Sequence, residues 1–446
     1  MKDFGSFQSR GRVPEGRGGR PSAAPARGAP VRSRRRRAAY RYASSIMTLG
    51  RDDGGVGVYV HVPFCDRVCP YCDFAVVAAR GGPERDVEDR YVRDIVAELE
   101  ARAPAFAGRR LASIYLGGGT PALMHPESVA HLIEAIRSAL HGDEPDGDGA
   151  IEITLEVNPS TVERERLQGF YEAGVGRLSI GVQSFDDIVL KRLGRAHKAR
   201  EADRTLEAAR AAGFDNVSID LMFAVPGQTL ENLEHDLERT GKHRPEHVST
   251  YELVIEKGTP FATAAERGRL EAFDADLAAA MLEALESGLA EQGLRRYELT
   301  NYARPGFESI HNRRYWARQP VLGLGVGAWS FDPPTVDRPF GARPANSRSL
   351  GAWQAAVEAG QPAAERVDAP DRREAMGEAV FLALRCAEGL LPADFEREFG
   401  EAPEAVFREA VAELRERGWL ERAEAGRLVL TAEGRMWADA VGARFV

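Results

Sequence analysis

The apolar positions of this chain change rhythm several times. Val56, Val58, Val60 and Val62 alternate with Gly57, Tyr59 and His61, the period of two expected of a strand. Short β-branched runs at 112–116, 151–157, 177–182, 216–222 and 247–253 predict further strands. Helical spacing fills the intervals at 90–101, 126–140, 162–173, 200–212 and 230–242. Five strand-then-helix units in succession predict a parallel sheet with right-handed crossovers. The units are even in size and no G-x-G-x-x-G opens a helix after the first strand, which favours a barrel or partial barrel over a Rossmann sheet. A long helix near 273–292 closes this first region, taken as 51–300. Residues 301–360 are expected to be loop-rich, dense in Pro, Gly and aromatics up to 348. Residues 361–446 read as a small, mainly helical domain with a short strand at Leu428–Leu430, an order that resembles a winged helix.

A length of 446 residues suggests two or three domains, and 43% apolar with 28% charged residues is a globular composition. No stretch approaches the roughly 18 apolar residues of a membrane-spanning helix, and no secretory core stands near the start. The net charge of −9 hides an asymmetry: residues 1–50 hold twelve Lys or Arg against Asp3 and Glu15, so the remainder carries −19. That first segment has too little apolar area to offset its ordering entropy and reads as disordered. A nucleic-acid or membrane tail, an organellar address, and an extension ahead of a true start at Met47 are the open readings. Arg outnumbers Lys 54 to 5 along the whole chain, so base composition explains the basic run most simply. The acidic body, including the C-terminal domain, argues against nucleic acid as a partner.

Of four cysteines, Cys65, Cys69 and Cys72 crowd into eight residues as C-x3-C-x2-C, directly after the first predicted strand. A disulfide framework would be spread out, so a metal or redox site in a reducing, cytoplasmic compartment is expected. Three thiolates on one loop can each bind one iron of a [4Fe–4S] cubane, leaving the fourth iron without a protein ligand. A Cys3His zinc site using His61 is the alternative, although zinc ligands usually come as two separated pairs. Cys386 stands alone among apolar neighbours and reads as a small buried hydrophobe.

After the second predicted strand comes Gly117-Gly118-Gly119-Thr120-Pro121. Bare glycines let the backbone approach a ligand, or simply make a tight turn. Glu156, Gln183 and Asp220 close the third, fourth and fifth predicted strands, so all three point to the carboxyl face, where barrel enzymes keep their sites. Singly, each is equally a helix cap or a satisfied core group.

The cysteine loop resembles the signature of the radical S-adenosylmethionine (SAM) superfamily, whose SAM amino and carboxylate groups chelate the open iron. The motifs Tyr59-Val-His-Val-Pro-Phe-Cys65, Gly117-Gly-Gly-Thr-Pro121, Glu156-Val-Asn-Pro159, Gly181-Val-Gln-Ser-Phe185 and Asp220-Leu-Met-Phe-Ala-Val-Pro-Gly-Gln-Thr229 are similar to those of the oxygen-independent coproporphyrinogen III oxidase family. The resemblance covers about residues 56–446. It implies an α/β fold, the partial (β/α)6 radical SAM barrel followed by a small, mainly helical C-terminal domain. It also implies that Tyr59, Tyr71, Gly118, Gly119, Thr120, Glu156, Gln183, Arg195 and Asp220 contact SAM, with Tyr71 against the adenine.

The decarboxylating members of that family extend the motif to C-x3-C-x2-C-x-C, where this chain has Phe74, and their N-terminal region has no counterpart in residues 1–50. The HemW-type haem chaperone branch has an aromatic there and a His-Asn-x-x-Tyr-Trp motif, matched by His311-Asn-Arg-Arg-Tyr315-Trp316. That resemblance implies haem binding and transfer to an acceptor protein, with an unidentified electron donor and membrane contact only through the acceptor. A coproporphyrinogen III dehydrogenase is the alternative. His311 then offers haem iron an imidazole, Tyr315 and Trp316 cover the macrocycle, and Arg313 and Arg314 pair with propionates. The competing reading is a helix-capping His beside a packed Tyr–Trp pair. The branch also implies Gly-x-Gly-Ala-His further on, where Trp329 replaces the His, leaving His197, His243 or His247 as a second imidazole.

Overall fold

The structure, a computed structural model, describes residues 52–141, 151–270 and 274–446. The basic segment 1–50 lies outside the described residues. Six parallel strands pair in chain order: β1 (Gly55–Val62), β2 (Arg110–Gly118), β3 (Glu152–Val157), β4 (Arg177–Gln183), β5 (Val217–Phe223) and β6 (His247–Glu252). Helices Arg85–Arg102, Pro126–His141, Thr161–Glu172, Ala199–Ala212 and Leu230–His243 make the crossovers. This is the expected partial (β/α)6 barrel. The first helix begins five residues before its apolar rhythm does. Pro83 ends the preceding loop, and Asp86 and Glu88 place negative charge in the first turn, where the helix dipole favours it.

In β1 the four valines are fully buried and share a core with Tyr91, Ile95 and Leu99 of helix Arg85–Arg102. The pleat therefore turns Tyr59 and His61 to the other face, toward the barrel interior. Past β6 the sheet continues antiparallel through β7 (Arg295–Arg296) and β8 (Asn301–Ala303), with β8 next to β6. At the opposite edge β9 (Val321–Leu324) pairs parallel with β1. The stretch expected to be loops thus supplies two strands of the main sheet and the short helix Ile310–Trp316. Its strands of three and four residues are buried throughout, so no alternation marks them.

The C-terminal region begins with helix Arg372–Arg385, capped by Asp371, and has its own core around Phe395, Phe407 and Leu414. Leu420–Arg422 and Leu428–Leu430 form its hairpin. It docks on the barrel through backbone bonds from Leu299 N to Arg385 O (3.0 Å) and from Ala387 N to Tyr297 O (3.0 Å). Among the described residues no helix is long and apolar enough to cross a membrane.

Candidate cluster and nucleoside site

A cavity of about 1110 Å³ occupies the barrel interior and is walled by both the strand ends and the C-terminal helix. Cys65, Cys69 and Cys72 all line it. Their loop is pinned at both ends: Phe64–Cys65 pairs parallel with Val77–Ala78, and Cys72 N donates to Cys69 O at 3.2 Å. Burial pushes the Cys65 thiol up to about 12, with Cys72 adding to the rise, and burial pushes Cys72 up to about 11. Such thiols keep their protons at neutral pH unless a cation takes the proton's place. Among the described residues no three His, Cys, Asp or Glu side chains converge on a single ion position. A cubane does not need them to, because each cysteine takes a different iron.

His61 does not supply a fourth ligand. Its Nε2 faces the Ala75 carbonyl at 3.0 Å, which only accepts, so Nε2 carries the proton and Nδ1 accepts from Tyr59 OH at 3.1 Å. Burial pushes this imidazole down to about 4, and it stays neutral. The ring also explains a glycine. Gly118 has φ +104, and a Cβ there would stand 2.4 Å from the His61 ring. A Cβ on Gly119 would meet the Val62 carbonyl oxygen at 2.7 Å. Only glycines allow this approach of β1 to the end of β2.

Tyr59, Gly118, Gly119, Thr120, Glu156, Gln183, Arg195 and Asp220 all line the same cavity. Glu156 accepts from Tyr115 OH (2.8 Å) and Gly118 N (3.0 Å), and burial pushes its carboxyl up to about 7. Asp220 accepts from Ser179 Oγ (3.0 Å) and Ser218 Oγ (3.4 Å), and burial raises it to about 6. Arg195 donates to Asn158 Oδ1 (3.1 Å), Asn158 Nδ2 to Thr120 Oγ1 (2.7 Å), and Thr120 Oγ1 lies 3.9 Å from Cys65 Sγ. This relay ties the end of β4 to the cysteine loop. Gln183 Oε1 and Arg195 Nε at this rim have no partner, and neither has Oε2 of Glu163, which also lines the cavity. Gln183 is moreover held at φ +65, a strained conformation for a residue with a side chain. Orphaned polar atoms, backbone strain and a glycine cradle at one place suit a polar, nucleoside-sized ligand.

Tyr71 departs from this pattern. Its ring is fully buried among Val189, Leu193, Met222 and Val225, its hydroxyl points to Met222 Sδ (3.1 Å), and it does not line the cavity. The apolar neighbours draw the ring into the wall.

The His311 motif enters from the other end of the barrel. Glu152, at the foot of β3, accepts the backbone N–H groups of Ile310 (3.1 Å) and His311 (3.0 Å). Ser309 caps this helix, so His311 is not the cap. Its ring lies 5.2 Å from that of Tyr115, with Nδ1 against Ser113 Oγ (2.9 Å) and Nε2 against Tyr315 OH (3.3 Å). Burial pushes it down to about 3, with Arg314 and Arg177 adding to the fall. His311, Tyr315 and Trp316 line the cavity, joined by Trp329, Phe331 and Leu382. Arg314 does not face it. This guanidinium is fully buried and committed to Asp53 (2.9 Å) and the Gly55 carbonyl (2.7 Å). Arg313 turns to Glu388 at 3.7 Å. Neither side chain lines the cavity. His243 pairs with Asp203 (2.8 Å), and His247 is held by Ser218 and Tyr297 at 2.8 Å each; both lie off the cavity, whereas His197 lines it.

Sequence reasoning missed Tyr115, Asn158 and Ser179. Tyr115 stands two residues before the glycine motif, Asn158 lies inside the Glu156–Pro159 motif, and Ser179 is one residue pair below Gly181 on β4. It also missed Arg318, Phe331, Arg343 and Arg385, which reach the cavity from separate segments and carry no local signal.

Comparison with known proteins agrees with this geometry. The radical SAM superfamily matches residues 59–240, and the HemN C-terminal domain matches residues 371–437. The chain is 32% identical to heme chaperone HemW of Bacillus subtilis over 87% of its own length and 98% of the relative's. It is 33% identical to heme chaperone HemW of Mycobacterium tuberculosis over 86% and 93% respectively. The solved structure of coproporphyrinogen III oxidase (HemN) from Escherichia coli superposes with a TM-score of 0.72, covering 90% of this chain and 91% of that one at 23% identity, which establishes the shared fold. A relative matched over nearly its whole length, on a fold that places the shared motifs around one cavity, settles the family: the chain belongs to the HemW family of the radical SAM superfamily.

Proposed function

We propose that this protein is a cytoplasmic haem chaperone, carrying a SAM-ligated [4Fe–4S] cluster and passing haem to an acceptor protein. The observation that carries the reading is that one cavity has two unlike walls: a polar rim beside the three cysteines and an aromatic wall of Tyr315, Trp316, Trp329 and Phe331. Its volume exceeds the roughly 300–1000 Å³ of ordinary small-molecule pockets, in keeping with room for more than one ligand. When bound, the cluster and SAM supply a one-electron route to the sulfonium. Cys65, Cys69 and Cys72 hold three irons, while Gly118, Gly119 and Thr120 let backbone groups reach the amino-acid head. Glu156 and Asp220 accept from hydroxyl donors, and Gln183 Oε1 and Arg195 Nε find partners they otherwise lack. Tyr59 closes the floor between the two walls. His311 braces the aromatic wall through Tyr315, and the partners of such a carrier are a haem acceptor and an electron donor.

A second reading, coproporphyrinogen III dehydrogenase, draws on the completeness of the polar rim. Phe74 lines the cavity where decarboxylating enzymes have a further cysteine, which weighs against it. Anaerobic protein incubated with SAM, a reductant and coproporphyrinogen III separates the two. Stoichiometric haem uptake with no porphyrinogen turnover is expected; accumulating protoporphyrinogen IX would defeat the carrier reading.

A further inference from the structure

The imidazoles near the cavity differ in what their nitrogens already do. His61, His247 and His311 each have both ring nitrogens engaged by neighbouring oxygens. His197 does not. It is 7% exposed and lines the cavity, and its Nε2 faces the Val182 carbonyl at 3.1 Å. A carbonyl only accepts, so Nε2 carries the proton and Nδ1 holds the lone pair. No side chain or backbone group among the described residues meets that Nδ1. A neutral imidazole whose second nitrogen donates to a backbone carbonyl, which fixes ring and tautomer, is the usual form of a metal-ligating histidine. Burial, with Arg195 nearby, holds this imidazole neutral.

We propose that His197 Nδ1 is an axial ligand of the haem iron. The inference rests on the reading that haem enters this cavity, and it changes where the iron stands. His197 follows β4, at the strand ends that carry the cysteine loop, whereas His311 lies at the strand feet. Coordination needs only the Nδ1 lone pair; the proton stays on Nε2 and no electron is transferred. The His311 motif then shapes the aromatic wall and leaves ligation to His197.

The test uses the full chain, reconstituted anaerobically with its cluster and titrated with ferric haem, reading the Soret and visible bands. Wild type is expected to give a nitrogen-ligated spectrum. His197→Ala is expected to lose that signature and to bind haem at least about tenfold more weakly, with the iron–sulfur band retained as a check on folding. Free imidazole added to His197→Ala is expected to restore the nitrogen-ligated spectrum. An unchanged spectrum in His197→Ala overturns the proposal, as does failure of imidazole to restore it, or loss of the signature in His311→Ala but not in His197→Ala. Wild type that takes up no haem at all overturns the wider reading, a distinct result.

Discussion

The two ends of the barrel are built from similar materials and left in different states. At the strand feet the start of the His311 helix is firmly held: Ser309 caps it, Glu152 takes its first backbone donors, and Arg314 is locked to Asp53, while Trp316 Nε1 at its end has no partner. At the strand ends the polar rim carries unmet capacity in Gln183 Oε1 and Arg195 Nε, a strained Gln183 backbone, and two carboxyls raised by burial. A buried polar group costs free energy unless it is paired, so the unpaired atoms of the rim mark a place shaped for a polar ligand, whereas the paired groups around His311 hold the aromatic wall in position.

Substitutions test that contrast. At the ligand end, changing Cys65, Cys69 or Cys72 to Ala should abolish the cluster, read as loss of its absorption band and of bound iron; a retained cluster in all three variants would refute the assignment. At the strand feet, Arg314→Ala removes the ion-pair partner of Asp53 and one donor each from the Gly55 and Pro320 carbonyls, and should cost about 3 kcal/mol of stability in urea unfolding. Its folded fraction should bind SAM with wild-type affinity.

The raised carboxyls give a smaller, pH-dependent effect. In the folded, ligand-free protein Glu156 keeps its proton up to about 7, while in the unfolded chain it loses it near 4.5. The folded state therefore binds more protons across this window, and ligand-free stability falls as pH rises through it. A hydroxyl donor prefers the carboxylate, so SAM affinity should rise about fivefold from pH 6 to 7 and about twofold more before levelling off near pH 8, by calorimetric titration. Glu156→Gln should flatten that profile. Smallest is Gln183→Gly, which removes the positive-φ strain and the orphaned amide oxygen: a gain of about 1 kcal/mol in ligand-free stability is expected, with weaker SAM binding.

The same contrast explains what could be read from the sequence. The barrel strands were legible because β1 to β6 are six to nine residues long, and each is followed by a helix with its own period. The cluster loop and most of the rim were legible because Gly119, Thr120, Glu156, Gln183 and Asp220 lie at or past the middle of a strand or just after it, so position along the chain gives position in space. Local spacing does not show that the Tyr71 ring turns into the wall, among Val189, Leu193, Met222 and Val225. Arg313 and Arg314 were misplaced for a related reason: the partner of Arg314 is Asp53, 261 residues away. The aromatic wall was half legible. Tyr315 and Trp316 share a motif, whereas Phe331 arrives through its bridge to Val321 at the barrel edge, and Leu382 and Arg385 through the docking of the C-terminal helix. Nor does any pattern mark which histidine has a nitrogen to spare; that depends on where carbonyls and hydroxyls fall once the chain is folded.

The most direct test is elemental: iron, zinc and acid-labile sulfide measured on protein purified without oxygen. Iron and sulfide in equal amounts, about four of each per chain for a cubane, are expected. Stoichiometric zinc with no sulfide would mean that the three thiols close on a structural ion, and the polar rim would lose its reason to be unpaired.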